Sequence, residues 1–149
     1  MESPDVIAYS TLPVSTPDFG MRSMRPTDLA FVFQSWLTSY ENSPFARHVS
    51  PPLYYRAHHK LIERLLTRST TRIAHALEDE DTILGWIVFQ RNPDCVHYSF
   101  VKPPFRRHGV FRALHPEGEW FVSHYTQAWA AIKGRFPTYR YNPYLIWEG

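Results

Sequence analysis

Apolar residues along the chain recur first at helical spacing and later at every second position. A broad apolar stripe runs from Leu29 to Leu37, directly after Thr27 and Asp28, either of which is suited to cap a helix. Ser50 followed by Pro51 is a second start signal, and the apolar residues up to Leu66 again keep helical spacing. The pattern therefore predicts two helices in the first half of the chain.

The spacing then changes to that of strands separated by short polar turns. Strand-like segments cover 71–77, 82–90 and 95–101, with turns at 78–81 and 91–94. Helices followed by an antiparallel meander indicate an α/β or α+β domain. The other predicted elements are a strand at 21–24, a short helix after Gly109, a strand at 120–125, a helix at 127–133 and a terminal strand pair at 139–147 interrupted by Pro143. Residues 1–18 are interpreted as a tail or irregular segment and residues 19–149 as a single domain.

Composition narrows the class of protein. The chain has 149 residues, of which 44% are hydrophobic and 20% charged, and a chain of this size buries about 68–70% of its unfolded surface. Aromatic residues make up 16%, and 13 prolines stand against 6 glycines, which disfavours an idealised helical bundle. The net charge of +2 is too small to indicate nucleic-acid binding by itself.

Cysteine use and targeting signals favour a cytoplasmic protein. Cys95 stands alone, which excludes an internal disulfide and a cysteine-based zinc site and suits a reducing compartment. The longest apolar run, residues 83–89, is far shorter than the roughly 18 residues of a membrane helix. The first residues lack the pattern of a signal peptide. We therefore expect no membrane association.

A basic loop joins the last strand of the meander to a short helix. Arg106, Arg107 and Lys102 surround Gly109, and exposed amides at a helix start bind phosphate when cations add to their partial charge. Gly109 removes a Cβ where a phosphate has to approach the backbone. The loop contains neither a P-loop nor a dinucleotide-binding glycine pattern.

The residues from Val101 to Phe111 resemble the acyl-CoA motif of the GNAT N-acetyltransferases, Val-x-Pro-x-aromatic-Arg/Gln-x-x-Gly-x-Gly/Ala, at every element but the last. The stretch from Met21 to Leu29 is similar to the family's first strand and the entry to its first helix. The resemblance implies a mixed, mostly antiparallel central sheet flanked by helices, with a cofactor cleft beside the fourth strand and acetyl-CoA as cosubstrate. The cofactor-binding residues it implies are Phe100, Val101, Lys102, Arg106, Arg107, His108, Gly109, Val110 and Phe111.

Two departures from the family pattern concern the cofactor and the chemistry. Phe111 stands where the family has glycine or alanine, and we expect it to narrow the pyrophosphate site. The family's helix tyrosine, its common general acid, would fall near Ala130 or Ala131 and is missing there.

Acetyl transfer to an amine needs a base for the ammonium proton, donors for the thioester oxygen and an acid for the thiolate. His97 is the predicted base, since some relatives use a histidine at this place on the motif strand; a structural hydrogen bond is an equally good interpretation. Strand alternation predicts that His97 shares a face with Cys95 and Ser99, and that Val96, Tyr98 and Phe100 lie on the other face. Tyr125 is the predicted acid, with Tyr139 as the other candidate, although a half-buried sheet aromatic is the simpler interpretation of both.

The second helix carries the predicted substrate contacts. The resemblance implies that this region borders the acceptor cleft, so Tyr54 and His58 are candidates for contacts with the acceptor. Core packing is the alternative for both. Adjacent helical residues such as His58 and His59 point about 100° apart and do not readily chelate one ion, so no metal is expected.

The leading hypothesis is an enzyme that transfers acetyl, or another small acyl group, from CoA to an amine. A peptide N-terminus, a lysine, a small amine and a nucleobase amine all remain open as acceptors, and so does the oligomeric state. A first alternative is a non-catalytic GNAT-like binding or assembly protein. A second is nucleic-acid association through the basic loop and the tyrosines near Arg140; it merges with the leading hypothesis if the chain is a phage-type GNAT that modifies DNA.

Overall fold

The computed structural model describes residues 18–126, 129–130 and 139–147. Its α-helices are α1 (Leu29–Tyr40), α2 (Pro51–Arg68) and α3 (Val110–Leu114). Its strands are β1 (Phe19–Ser23), β2 (Thr70–Ala76), β3 (Asp79–Gln90), β4 (Cys95–Val101), β5 (Trp120–Val122) and β6 (Tyr139–Tyr141). Short 3-10 turns occupy Pro26–Asp28, Ala46–His48, Pro103–Phe105 and Pro143–Ile146.

The described strands form one sheet in which spatial order follows chain order, from β1 to β6. Strands β1 to β4 pair antiparallel, whereas β4–β5 and β5–β6 pair parallel. The prediction of a mixed, mostly antiparallel sheet flanked by helices is therefore confirmed. None of the helices in the described residues is long and apolar enough to cross a membrane.

Two hydrophobic clusters cover the two faces of the sheet. One joins α1 and α2 to the strands, and its centre is formed by Trp36, Trp86 and Tyr98. The Trp36 and Tyr98 rings stack with centroids 5.1 Å apart. The other cluster joins α3 to the opposite face through Val110 and Leu114. Both helices of the first half thus lie over one face, and the basic loop leads to the other.

Asp28 connects β1 to the start of α1. Its carboxylate accepts hydrogen bonds from the guanidinium of Arg22 at 2.7 and 3.1 Å and from the backbone N–H of Arg25 at 2.7 Å. The hydrogen bond from Arg22 is the largest cause of the lowered pKa of this buried carboxyl. Asp28 therefore acts at the predicted helix start mainly by tying the strand to the helix.

The hairpin between β2 and β3 is tighter than predicted. The turn covers residues 77–78, and β3 already begins at Asp79, which pairs with Ala76. The prediction of a polar turn over 78–81 is wrong because Arg25 binds the carboxylates of Glu80 and Asp81. These ion pairs hold the acidic residues along the strand.

The last third differs from the prediction in two places. β5 ends at Val122, so it is shorter than the predicted 120–125. The predicted strand pair at 139–147 is wrong after residue 141, because Pro143 begins a 3-10 turn in which the side chain of Asn142 accepts a hydrogen bond from the N–H of Tyr144. Trp129 and Ala130 are helical; the rest of the predicted helix 127–133, and residues 1–17 of the predicted tail, lie outside the described residues.

Candidate active site

The strands β4 and β5 diverge shortly after they meet. They pair at Cys95–Phe121 and Val96–Val122, and the N–H of Ser123 still donates to the carbonyl of Val96 at 3.2 Å. β4 then continues to Val101 while β5 has ended. A cleft of about 610 Å³ opens at this divergence. The described residues that line it are Ser39, Asn42, Ser43, Val96, His97, Tyr98, Ser99, Phe100, Val101, Arg106, Arg107, Phe111, His115, Val122, His124, Thr126, Trp129 and Tyr139.

A bulge in β4 places His97 outside the regular strand pairing. Val88 pairs with Tyr98 and the next residue of β3, Phe89, pairs with Val96, so His97 is the extra residue. Val96 packs in the cluster below α3, whereas Tyr98 packs in the cluster below α1 and α2. The prediction that Val96 and Tyr98 share a face is therefore wrong, because the bulge at His97 shifts the alternation. Cys95 and His97 do lie together, with Sγ of Cys95 3.8 Å from Nδ1 of His97.

His97 is buried, with 1% of its surface exposed. Its Nε2 lies 2.6 Å from Oε1 of Gln90, and its Nδ1 lies 2.7 Å from Oγ of Ser123. Burial lowers the pKa of His97 to about 3, so the ring is neutral at pH 7. The structure thus brings the predicted base to the wall of the cleft with both ring nitrogens engaged inside the protein, and its role in catalysis stays a prediction.

The hydrogen bonds continue from His97 through the end of β5 to α2. Oγ of Ser123 also lies 3.0 Å from Nδ1 of His124, and Nε2 of His124 lies 3.1 Å from Nε2 of His58. We call the five residues Gln90, His97, Ser123, His124 and His58 the polar chain. Burial is the largest cause of the lowered pKa values of His58, to about 4, and of His124. The polar chain bridges β4, β5 and α2 where the backbone pairing ends.

Aromatic and hydroxyl groups form the part of the cleft nearest α1. The Tyr98 hydroxyl lies 2.7 Å from Oγ of Ser39, which itself donates to the Ser35 carbonyl at 2.6 Å. Burial raises the pKa of Tyr98 to about 12. His124 lies edge-on to the Tyr98 ring, with centroids 5.7 Å apart. These groups are uncharged at neutral pH.

The basic loop borders the other part of the cleft. Nε of Arg106 donates to the Val101 carbonyl at 2.8 Å, and its guanidinium lies 5.7 Å from the centre of the Phe100 ring. Arg107 adopts φ +69° and Gly109 φ +87°, so the loop turns twice through left-handed backbone before α3 begins. Both arginines are exposed and line the cleft. The loop therefore presents two cations at the cleft.

Phe111 is accommodated by a histidine that sequence reasoning missed. Its ring packs on the ring of His115, with centroids 3.9 Å apart. Nδ1 of His115 donates to the Phe111 carbonyl at 2.7 Å, and its Nε2 lies 3.2 Å from Oγ of Ser99. Burial lowers the pKa of His115 to about 4. His115 lies four residues after Phe111 in the sequence, and this spacing was the available signal.

Several other predicted site residues lie away from the described lining of the cleft. The ammonium of Lys102 sits 5.0 Å from the centre of the Phe31 ring, and the Tyr54 hydroxyl donates to the Leu37 carbonyl at 2.7 Å. The Tyr125 ring packs against Trp129 and Tyr141. The predicted residues in this group are Tyr54, His58, Lys102, His108, Gly109, Val110 and Tyr125. By contrast, Tyr139 lines the cleft, and its hydroxyl donates to the Pro116 carbonyl at 2.8 Å.

Comparison with solved structures identifies the fold. No family model and no curated protein matches the sequence. A Corynebacterium glutamicum structure described as histone acetyltransferase HPA2 and related acetyltransferase superposes with a TM-score of 0.53 and 12% identity, over 80% of this chain and 83% of that one. The protein has the GNAT fold.

Two further matches are less extensive. Apo YjaB from Escherichia coli matches with a TM-score of 0.47 and 19% identity, over 64% of this chain and 60% of that one. A GNAT family acetyltransferase from Brucella melitensis, solved in complex with acetyl-CoA, matches with a TM-score of 0.46 and 17% identity, over 64% of this chain and 62% of that one. The chain thus spans less than two thirds of the length of these two proteins.

Proposed function

We propose that the protein is an N-acetyltransferase that binds acetyl-CoA in the cleft between β4 and β5. The observation that carries the proposal is the divergence of these strands after Val96–Val122, which opens a cleft of about 610 Å³ beside the basic loop. The GNAT fold and the match between residues 101–111 and the acyl-CoA motif support the same position for the cosubstrate.

Each part of the cleft suits one part of acetyl-CoA. Arg106 and Arg107 offer guanidinium groups for the pyrophosphate, which arginine binds with charge-assisted hydrogen bonds. The edge of β4 around Ser99 offers backbone groups to the amides of the pantetheine arm, as a strand edge does to an added strand, while the Val101 carbonyl is already bound by Arg106. The part lined by Tyr98 and His124 is then left for the thioester and the acceptor.

The reaction proposed is direct transfer. The amine nitrogen attacks the thioester carbonyl carbon, a C–N bond forms, the C–S bond breaks, and the amine proton passes to the departing thiolate. Backbone N–H groups at the edge of β4 would stabilise the developing oxyanion. A route in which His97 takes the amine proton as base and Tyr125 gives a proton to the thiolate as acid stays a prediction, to be tested by the rates of the His97→Gln and Tyr125→Phe variants.

Calorimetric titration of acetyl-CoA tests the binding part of the proposal. We expect micromolar binding to the wild-type protein and at least tenfold weaker binding to an Arg106→Ala, Arg107→Ala double variant, since a hydrogen bond to a charged group contributes about 1.5–3 kcal/mol. Arg56→Ala is the matched control, because Arg56 is exposed on α2 outside the described lining of the cleft. Failure to bind at near-millimolar acetyl-CoA would overturn the proposal.

A cofactor-binding protein without transfer is the second candidate. Two observations favour it: both nitrogens of His97 are engaged within the polar chain, and the Phe111 ring lines the cleft where the family has a small residue. Radiolabelled acetyl-CoA with a broad panel of amines separates the candidates. Binding with no transfer to any amine would favour this second candidate.

A further inference from the structure

The charged groups in the described lining of the cleft are cations. They are the guanidinium groups of Arg106 and Arg107, and the described lining contains no carboxylate. Most alkylamines are ammonium ions at neutral pH, and such a cation needs an anionic partner when it leaves water. Once Arg106 and Arg107 hold the pyrophosphate, the described lining offers no carboxylate to a charged acceptor.

The histidines of the cleft are already hydrogen-bonded on both sides. His97 contacts Gln90 and Ser123, and His124 contacts Ser123 and His58. His115 likewise contacts the Phe111 carbonyl and the Ser99 hydroxyl. Taking a proton from an ammonium would require one of these rings to give up a hydrogen bond inside the protein.

The remaining walls are flat and uncharged. Aromatic rings from three parts of the chain, Phe100, Trp129 and Tyr139, face the same cleft. Next to them Ser39 and Asn42, near the end of α1, supply neutral hydrogen-bonding groups. Aromatic rings gain stacking or edge-to-face contacts with one another beyond the burial of their area, so these walls suit a planar ring.

From these observations we propose that the acceptor is an uncharged amine attached directly to an aromatic ring. The inference rests on the proposed function, since it assigns the acceptor of the same transfer. The amino group of such a compound is neutral at pH 7, because the lone pair of its nitrogen is partly delocalised into the ring. It therefore needs no base before it attacks. Its nitrogen forms the C–N bond with the acetyl carbonyl, the C–S bond breaks, and the proton released passes to the CoA thiolate.

Two amines that differ by one methylene test the proposal. Para-anisidine carries its nitrogen on the ring and is neutral at pH 7, whereas para-methoxybenzylamine is an ammonium ion. We expect kcat/KM for acetyl transfer to be at least about tenfold higher for para-anisidine at pH 7. The rate with para-anisidine should stay flat between about pH 7 and 9, while that with para-methoxybenzylamine should rise about tenfold per unit as the free amine forms.

A near-isosteric variant sharpens this test. Asn42→Asp places a carboxylate at the lining of the cleft, so it should improve transfer to para-methoxybenzylamine. The ratio of kcat/KM for para-anisidine to kcat/KM for para-methoxybenzylamine should fall at least threefold. Asn92→Asp is the control, because Asn92 is exposed in the turn between β3 and β4. The control should leave the ratio unchanged.

The outcomes that overturn the inference differ from those that overturn the proposed function. Equal or faster transfer to para-methoxybenzylamine at pH 7 would overturn the aromatic acceptor and support acetyl transfer. Calorimetric binding of acetyl-CoA without acetylation of para-anisidine would also overturn the acceptor and leave the cofactor site in place. Failure of acetyl-CoA to bind would overturn the proposed function itself.

Discussion

The two halves of the sheet are held together in different ways. Strands β1 to β4 form an antiparallel ladder in which each strand pairs along most of its length. β5 instead meets β4 at two positions and then ends. Beyond that point side chains replace the backbone, because Ser123 joins His97 of β4 to His124, which continues to His58 of α2.

The antiparallel half of the sheet contributes mainly to stability, whereas the parallel half forms the cleft. The antiparallel half packs against α1 and α2, and this contact contains the largest fully buried side chains among the described residues, Trp36 of α1 and Trp86 of β3. The parallel half gives up backbone hydrogen bonds to open the cleft, and buried polar groups must then be satisfied by one another. We therefore expect substitutions of buried hydrophobic side chains in the antiparallel half to cause large losses of stability. Changes in the parallel half should cause smaller losses of stability that depend on pH.

Removing a core ring from the antiparallel half should have the largest effect. Trp86 is fully buried, and its Nε1 donates to Oγ of Ser35 at 2.9 Å. Trp86→Ala should lower the free energy of unfolding by about 3–5 kcal/mol, as measured by urea denaturation. Trp147→Ala is the control: Trp147 is 69% exposed, and its loss should cost less than about 1 kcal/mol. Similar costs for the two variants would contradict the comparison.

Acid should destabilise the protein through the histidines around the cleft. Burial lowers the pKa of His97 to about 3 and those of His58 and His115 to about 4, against about 6.5 in the unfolded chain. The unfolded state therefore binds more protons as the pH falls through this window, so stability is complete above about pH 6.5 and is lost toward pH 4.

Urea denaturation at several pH values measures this effect. We expect the free energy of unfolding to be at least about 2 kcal/mol lower at pH 5 than at pH 7. His58→Gln should reduce the slope of stability against pH, since it removes one of the titrating rings. A pH-independent stability between 5 and 7 would contradict the neutral, buried state of these histidines.

Breaking the polar chain should have an intermediate effect. Ser123 is 1% exposed, and its hydroxyl lies between His97 and His124. Ser123→Ala leaves these two rings without their shared partner and should cost about 1–3 kcal/mol. Ser50→Ala is the matched control, because Ser50 is exposed and its hydroxyl makes no capping hydrogen bond in the described structure. Thermal unfolding of both variants measures the difference, and equal melting temperatures would refute a supporting role for the polar chain.

The smallest effect is expected at the basic loop. Gly109 adopts φ +87°, and a Cβ added there would meet no described heavy atom within 4 Å. Gly109→Ala should therefore lower the free energy of unfolding only by the cost of placing alanine in left-handed backbone, about 1–2 kcal/mol. Gly109→Asn should cost less, since asparagine tolerates left-handed backbone better than alanine. If urea denaturation shows that Gly109→Asn is less stable than Gly109→Ala, the loss of stability does not come from the left-handed backbone.

The sequence predicted the elements with strong local signals. Local signals predict the start of α2 at Pro51, the bounds of β4 and the basic loop with Gly109, and all three are found where predicted. The Ser50 side chain, however, makes no capping hydrogen bond at the start of α2. The turn between β2 and β3 was predicted at the wrong residues, because Glu80 and Asp81 form ion pairs with Arg25, which is distant from them in the sequence.

The site was less predictable because it depends on contacts between distant segments. The bulge at His97 depends on the register between β3 and β4, which alternation along one strand does not reveal. His124 and His58 are 66 residues apart, and their contact exists only once α2 packs beside the end of β5. His115 was missed because it follows the recognised motif, although its ring supports Phe111.

Backbone amide chemical shifts, followed while acetyl-CoA is added, test whether the cosubstrate binds where β4 and β5 diverge. We predict shifts concentrated at residues 97–101, 106–111 and 123–126, with β1 and β2 unchanged. In the Arg106→Ala, Arg107→Ala variant the same amides should respond only at much higher ligand concentration. Shifts concentrated on β1 and β2, or no shifts at near-millimolar acetyl-CoA, would show that the cosubstrate does not bind at this cleft.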